Sequence, residues 1–234
     1  MGINRIELKE EAKAKLKGHW GQAILVSLSL PIFIVLWEVF TILLSLFLVA
    51  IKASILYDLL SVIFFFGMPW AVMAIAFGVN YAYLDFFRNP NEKQNPLLRC
   101  VRVYQQSGLL SGTFALAILT SMWLFFWEIL FYFPAVVKSC AYSQTFFIYR
   151  DHLQLGHKID FGQAVTESRQ LMDGHKWEYF VLSLSFIGWN ILGLLTLGIA
   201  YIWIVPYMKV TFAGYHEKLK EVKLLEMYGQ LAAR

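Results

Sequence analysis

Apolar residues run nearly without interruption from Trp20 to Ala50, from about Ser61 to Phe87, from Gly108 to Tyr149 and from Trp177 to Tyr215, with short polar segments between. A continuous run of about 20 apolar residues is long enough for one membrane helix. The last two runs are far too long for one helix, so each must turn back on itself. Pro134, just after Phe131-Tyr132-Phe133, marks one turn, and the Gly193 to Gly198 region marks the other. The pattern predicts an all-α polytopic membrane protein with one domain, its six transmembrane helices at 20–50, 61–87, 109–132, 134–150, 177–193 and 198–215, arranged as three hairpins. At 1.5 Å per residue the first crossing would reach roughly 45 Å against a hydrocarbon core of ~30 Å. It must tilt, bend at Pro31 or project. It is also too long for a signal-peptide core and has no small-residue cleavage site, so it is expected to stay in the membrane. An outer loop holding Lys52 and Asp58 should join it to the second crossing, where Ala74-x-x-x-Gly78 would let a neighbouring helix come close.

A short, partly amphipathic segment precedes each hairpin and ends in glycine. The first, 4–17, opens with Asn4 as N-cap, has Glu7 at the capping-box position and closes at Gly18. The second follows Asn95-Pro96, with Leu97, Leu98, Val101 and Tyr104 on one side and Arg99 and Arg102 on another, and closes at Gly108. In the third, Asp160 caps, Gln163 takes the box position, Ala164, Ser168, Leu171 and Met172 form a stripe, and Gly174 closes it. Such helices lie in the headgroup plane or pack under a bundle. Hairpins one and three read as parallel copies: Gly18-His19 and Gly174-His175 are followed at equal distance by Ser27-Leu28-Ser29 and Ser183-Leu184-Ser185, and Glu11-Ala12-Lys13 aligns with Glu167-Ser168-Arg169. A basic helix is expected from about Thr211 to Tyr228.

Charge fixes the expected orientation. All but Lys52 and Lys138 of the 20 Lys and Arg residues fall at Arg5–Lys17, Arg88–Arg102, Arg150–Lys176 and Lys209–Arg234. By the positive-inside rule those four clusters, and both termini, are cytoplasmic. A chain of 234 residues that is 59% hydrophobic and 15% charged could not form a soluble domain without large exposed apolar patches. Its net charge of +4 is read as a lipid-contact and orientation device, not a nucleic-acid footprint. Cys100, in a loop, and Cys140, in an apolar segment, imply neither a disulfide nor a zinc site.

Candidate chemistry is sparse. Glu128 and Lys138 flank the turn near Phe133 at similar depth and are expected to pair, either as a hairpin lock or as a solute or proton site. Glu38, beside Trp37, could join them in a polar pocket or face the outer interface. Arg169 and Lys176 could hold a lipid phosphate at the inner headgroup level. The five His residues sit at the cytoplasmic edge. His152, His157 and His175, with Asp151, Asp160 and Asp173, match no standard ligand spacing, so no metal is expected. No nucleophile elbow, zinc-protease motif, phosphate loop or dinucleotide fingerprint occurs, so no cofactor is implied.

Several residues together are similar to a known group: Pro134, Lys138, Ala141-Tyr142-Ser143, Glu167-Ser168-Arg169, Met172, Gly174, Lys176, Leu184-Ser185-Phe186-Ile187-Gly188-Trp189, Leu195-Thr196, Gly198-Ile199 and Pro206-Tyr207. They resemble the bacterial integral membrane proteins grouped as domain of unknown function 975, with Ala135 and Ala200 in place of expected glycines. That family looks like a relative of the membrane domain of some glycerophosphodiester phosphodiesterases, although this chain has no such catalytic domain. The resemblance implies a multi-pass protein of the bacterial plasma membrane and no function. The expected function is therefore non-enzymatic, by binding membrane lipids or a membrane or cytoplasmic protein partner through the cytoplasmic helices. A small-solute, ion or lipid transporter with an intramembrane Glu/Lys site is the alternative, and a membrane-embedded enzyme the third.

Overall fold

The computed structural model describes residues 2–91, 95–130 and 132–232, and every regular element among them is helical. In chain order these are α1 (Arg5–Leu16), α2 (Trp20–Ala50), α3 (Ser54–Arg88), α4 (Pro96–Arg102), α5 (Leu109–Leu130), α6 (Tyr132–Tyr142), α7 (Thr145–Gln154), α8 (Phe161–Leu171), α9 (Lys176–Leu184), α10 (Ile187–Leu195) and α11 (Tyr201–Ala232). A 3-10 turn, Val103–Gln105, continues α4.

The three polar segments fold as helices α1, α4 and α8, started and stopped by the residues expected. The side chains of Asn4, Asn95 and Asp160 accept the N–H groups of Ile6, Leu97 and Gly162, which fills a helix-start donor that the backbone cannot satisfy itself. The following glycines, Gly18, Gly108 and Gly174, adopt φ of +84°, +81° and +82°, a turn that side chains with a Cβ resist. α1 buries Leu8, Ala12 and Leu16, while α8 buries Ala164, Val165 and Ser168. α4 departs from its expected pattern: Arg99, on the side away from the apolar residues, is buried all the same, and Cys100, expected in a loop, is buried within the helix. The close seat of α4 on α3 brings Arg99 in. A Cβ on Gly78 would lie 2.1 Å from the Cys100 carbonyl oxygen, and the Tyr104 hydroxyl donates to the Ala74 carbonyl at 2.6 Å. The Ala74-x-x-x-Gly78 face thus receives a neighbouring helix.

Among the described residues four stretches are long and apolar enough to cross a membrane: Trp20–Ala50, Ile55–Arg88, Leu109–Ile129 and Lys176–Leu195. α3 starts earlier than the expected 61, because a turn at Ile51–Ala53 closes at once and puts Asp58 inside the helix. The expected 134–150 helix breaks at Ser143-Gln144 between α6 and α7, and 177–193 breaks at Ser185-Phe186 between α9 and α10. The final apolar limb and the basic C-terminal helix are one continuous rod, α11. The turn expected at Gly193–Gly198 is present: Gly198 N–H bonds the Gly193 carbonyl, with Leu197 and Gly198 at positive φ. Of the other expected turn, Phe131 lies outside the described residues, and Tyr132 opens α6.

Both buried cores sit at the end of the bundle that carries the short helices. One gathers Leu8, Leu16, Val26, Tyr83, Phe87, Leu182 and Tyr215, and the other Tyr81, Leu116, Tyr149 and Ala164. Towards the turns the apolar side chains are exposed instead, among them Leu36, Leu43, Phe65, Ile129 and Leu197. A packed base with apolar arms is what hairpins sheathed in hydrocarbon would show, since lipid tails cover side chains that water could not.

Candidate functional site

Two clusters of charge stand at the packed end. The first lies where α3, α7 and α11 meet. The Arg150 guanidinium, 3% exposed, bonds both Asp85 carboxylate oxygens at 2.6 Å, donates to the Tyr81 carbonyl at 2.9 Å and lies over the Tyr81 ring. One helix turn on, Arg88 reaches Asp151 at 2.7 Å and Glu217 at 2.8 Å. Lys220 reaches the same two carboxylates at 2.8 and 3.4 Å, and the buried His216 ring lies 3.3 Å from Asp151 and 3.0 Å from Gln144. Burial would raise the Asp151 pKa, but hydrogen bonds from His216 and Lys220, with the charge of Arg88, hold it well below the usual carboxylate range. For His216, burial outweighs the Asp151 hydrogen bond and charge and lowers proton affinity.

Asp151, His216 and Glu217 present ligand atoms within 4.8 Å of one another, a spacing compatible with a metal ion. Arg88 and Lys220 already bring positive charge to both carboxylates. The cluster is satisfied as an ion-pair network, and it is not the His152, His157 and His175 set considered from the sequence: His152 bonds Glu167 and His175 bonds Glu178.

The second cluster contains Lys138, Arg169 and Lys176, from α6, α8 and α9. α8 lies against α6 through a bond from the Ser168 hydroxyl to the Ala141 carbonyl at 2.8 Å. That contact carries Arg169 to within electrostatic reach of Lys138, as Lys176 is. Lys138 does not pair with Glu128: its ammonium lies 4.7 Å from the centre of the Trp127 ring, and among the described residues no ion pair joins it to a carboxylate. Glu128 is exposed near the end of α5. Glu38 is in neither cluster. It lines a separate cavity of about 340 Å³ within the α2–α3 hairpin, with Trp37, Thr41, Ser45, Tyr57 and Ser61. Of the two placements the sequence left open for Glu38, a pocket shared with Glu128 and Lys138 or the outer interface, the first is not seen, because Glu38 faces α3 within the α2–α3 pair.

Lys176 also lines an apolar groove of about 220 Å³, with Val136, Val137, Cys140, Trp177 and Phe180. Lys176 meets Asp173 at 3.4 Å, while Arg169 is exposed and makes no ion pair among the described residues. A lysine on an apolar slot, with two more cations in electrostatic reach, can take a phosphate and the first carbons of an attached chain. The sequence paired Arg169 with Lys176 and set Lys138 apart with Glu128; the approach of Lys138 to the other two depends on how α8 seats on α6, which no local pattern encodes. The α3–α7–α11 network was missed. Its only local signal was charge beside tyrosine at the ends of apolar runs.

The fold and these two clusters define a helical protein of membrane type. Residues 134–223 match the model of a family described as protein of unknown function, DUF975, with residues 1–133 and 224–234 outside the match. No curated protein and no solved structure matches the chain, and a likeness to the glycerophosphodiester phosphodiesterase membrane domain is not shown.

Proposed function

We propose that this is a non-enzymatic integral protein of the bacterial plasma membrane that holds an anionic lipid of the inner leaflet by its phosphate. Six apolar limbs cross in three hairpins, with both termini and the four basic segments in the cytoplasm. The observation that carries the reading is Lys176 beside Trp177 on the apolar α6–α9 groove, with Lys138 in electrostatic reach of both Lys176 and Arg169. Like charges brought together repel, and a phosphate between them turns that cost into charge-assisted hydrogen bonds. Trp177, 71% exposed at the groove, has the size and amphipathic ring of an interface anchor. Transport through Glu38, Glu128 and Lys138 has less to stand on, since Lys138 sits over Trp127 and Glu38 lies in the first hairpin.

Native mass spectrometry from nanodiscs of phosphatidylglycerol mixed with phosphatidylcholine tests this reading. The wild-type chain should retain phosphatidylglycerol preferentially, and Arg169→Gln with Lys176→Gln should lose at least about tenfold in retention, in line with roughly 1 kcal/mol for each basic residue. A wild-type chain that takes the two lipids in the proportion supplied would overturn it.

A further inference from the structure

We propose that the chain is three copies of one unit closed into a ring, and that the acid–base contacts where the copies meet act as one latch. Each copy begins with an Asx-capped short helix (α1, α4, α8) and a glycine at positive φ (Gly18, Gly108, Gly174). An apolar limb then leaves and another returns. Every returning limb ends in tyrosine, one intervening residue and an acid: Tyr83-Leu84-Asp85, Tyr149-Arg150-Asp151 and Tyr215-His216-Glu217. A tyrosine and an acid two residues apart would be weak evidence alone. Their partners repeat as well.

Each tyrosine hydroxyl donates to a backbone carbonyl at the start of its own outgoing limb: Tyr83 to Ala23 at 2.6 Å, Tyr149 to Gly108 at 3.3 Å and Tyr215 to His175 at 3.1 Å. Each acid reaches a base in the next copy around the ring, and Asp151 in addition reaches back to Arg88 of the first. Asp85 of the first holds Arg150 of the second, Asp151 of the second meets His216 of the third, and Glu217 of the third holds Arg88 of the first. Arg150 and His216 are the intervening residues of their copies; the first has Leu84 there, and Arg88 one turn on supplies the base. The short helices follow the same order. α4 seats on α3, α8 on α6 and α7, and α1 on α11, so each copy rests on the returning limb of the copy before it and the first rests on the third. The first and third copies also bury matching positions, Leu8, Ala12 and Leu16 against Ala164, Ser168 and Met172.

The links share members. Arg88 binds both Asp151 and Glu217, and Asp151 binds Arg88, His216 and Lys220. Losing the Glu217 link therefore disturbs the Asp151 link through their common Arg88, and the Asp85–Arg150 pair is tied to both because Arg150 adjoins Asp151 and Asp85 lies one helix turn from Arg88. The native cysteines report on it, since both are free and buried, Cys100 where α4 meets α3 and Cys140 in α6 beside α9. Glu217→Gln cuts the link between the third and first copies, at neither cysteine. In the full detergent-solubilised chain, with helicity checked by circular dichroism, both cysteines should react with a water-soluble maleimide severalfold faster than in wild type. Wild-type rates at both would mean three independent pairs and end the latch. Should Glu217→Gln not fold, Arg88→Lys keeps the charge, weakens the same link from the side of the first copy and is read the same way. Circular permutants opened before Asn95 or before Asp160, with the native ends joined by a flexible linker of about 20 residues, should keep wild-type helicity and melting behaviour. Loss of the folded state in both permutants would overturn the ring.

Discussion

His216 is the residue whose environment most sharply separates folded from unfolded chain. It is buried against Phe147, with Gln144, Asp151, Glu217, Lys220 and Arg88 as its polar and charged surroundings. Burial lowers its proton affinity in the fold, whereas the unfolded chain takes up a proton near the ordinary value of about 6.5. Below that pH the unfolded state binds more protons, so stability falls as pH drops. Asp151 acts lower. Its depressed pKa gives stability that is complete above about pH 4 and lost as pH falls through its folded value. The melting temperature in detergent should therefore fall in two stages on acidification, and His216→Gln should remove the first. Persistence of that stage in the variant would assign it to another histidine. None of this was legible in the sequence, where His216 was one more cytoplasmic histidine. Its neighbours come from two other helices.

Among the helices, what local chemistry controls was legible and what tertiary contact controls was not. Asn4, Asp160 and the glycines after each short helix announced starts and stops, because capping and positive φ act within a few residues. The breaks at Ser143-Gln144 and Ser185-Phe186 carry no proline or glycine. There the Gln144 side chain bonds His216, and Lys9 donates to the Ser185 carbonyl across a long sequence distance. The Ala74-x-x-x-Gly78 spacing foretold a close approach without naming the partner. Gly78→Ala should be among the most damaging small substitutions, because its Cβ meets the Cys100 backbone carbonyl and not a side chain that can swing away. Overpacking of this kind costs about 1–3 kcal/mol or more. The melting temperature should drop by several degrees, with Gly21→Ala, which faces open space, as the control.

The apolar helices are unequal in length. α2 and α3, with 31 and 35 residues, reach about 46 and 52 Å at 1.5 Å per residue, well past a ~30 Å hydrocarbon core. Tilt alone rarely absorbs so much, so the tip of the first hairpin should stand clear of the bilayer. Val49→Cys should react with an impermeant maleimide added outside intact cells, while Leu192→Cys should stay silent; equal silence would return the first hairpin to the membrane. The grooves between copies differ too. In the register that aligns Gly174 with Gly18 and with Gly108, Arg169 and Lys176 correspond to Lys13 and Trp20 in the first copy and to Val103 and Leu110 in the second. The same architecture is thus built at the other junctions with half of those charges or none, so folding does not require them. The molecule contains its own control experiment, and the charge peculiar to one junction out of three marks a direction around an otherwise repetitive body: a lipid arriving from any side has one berth.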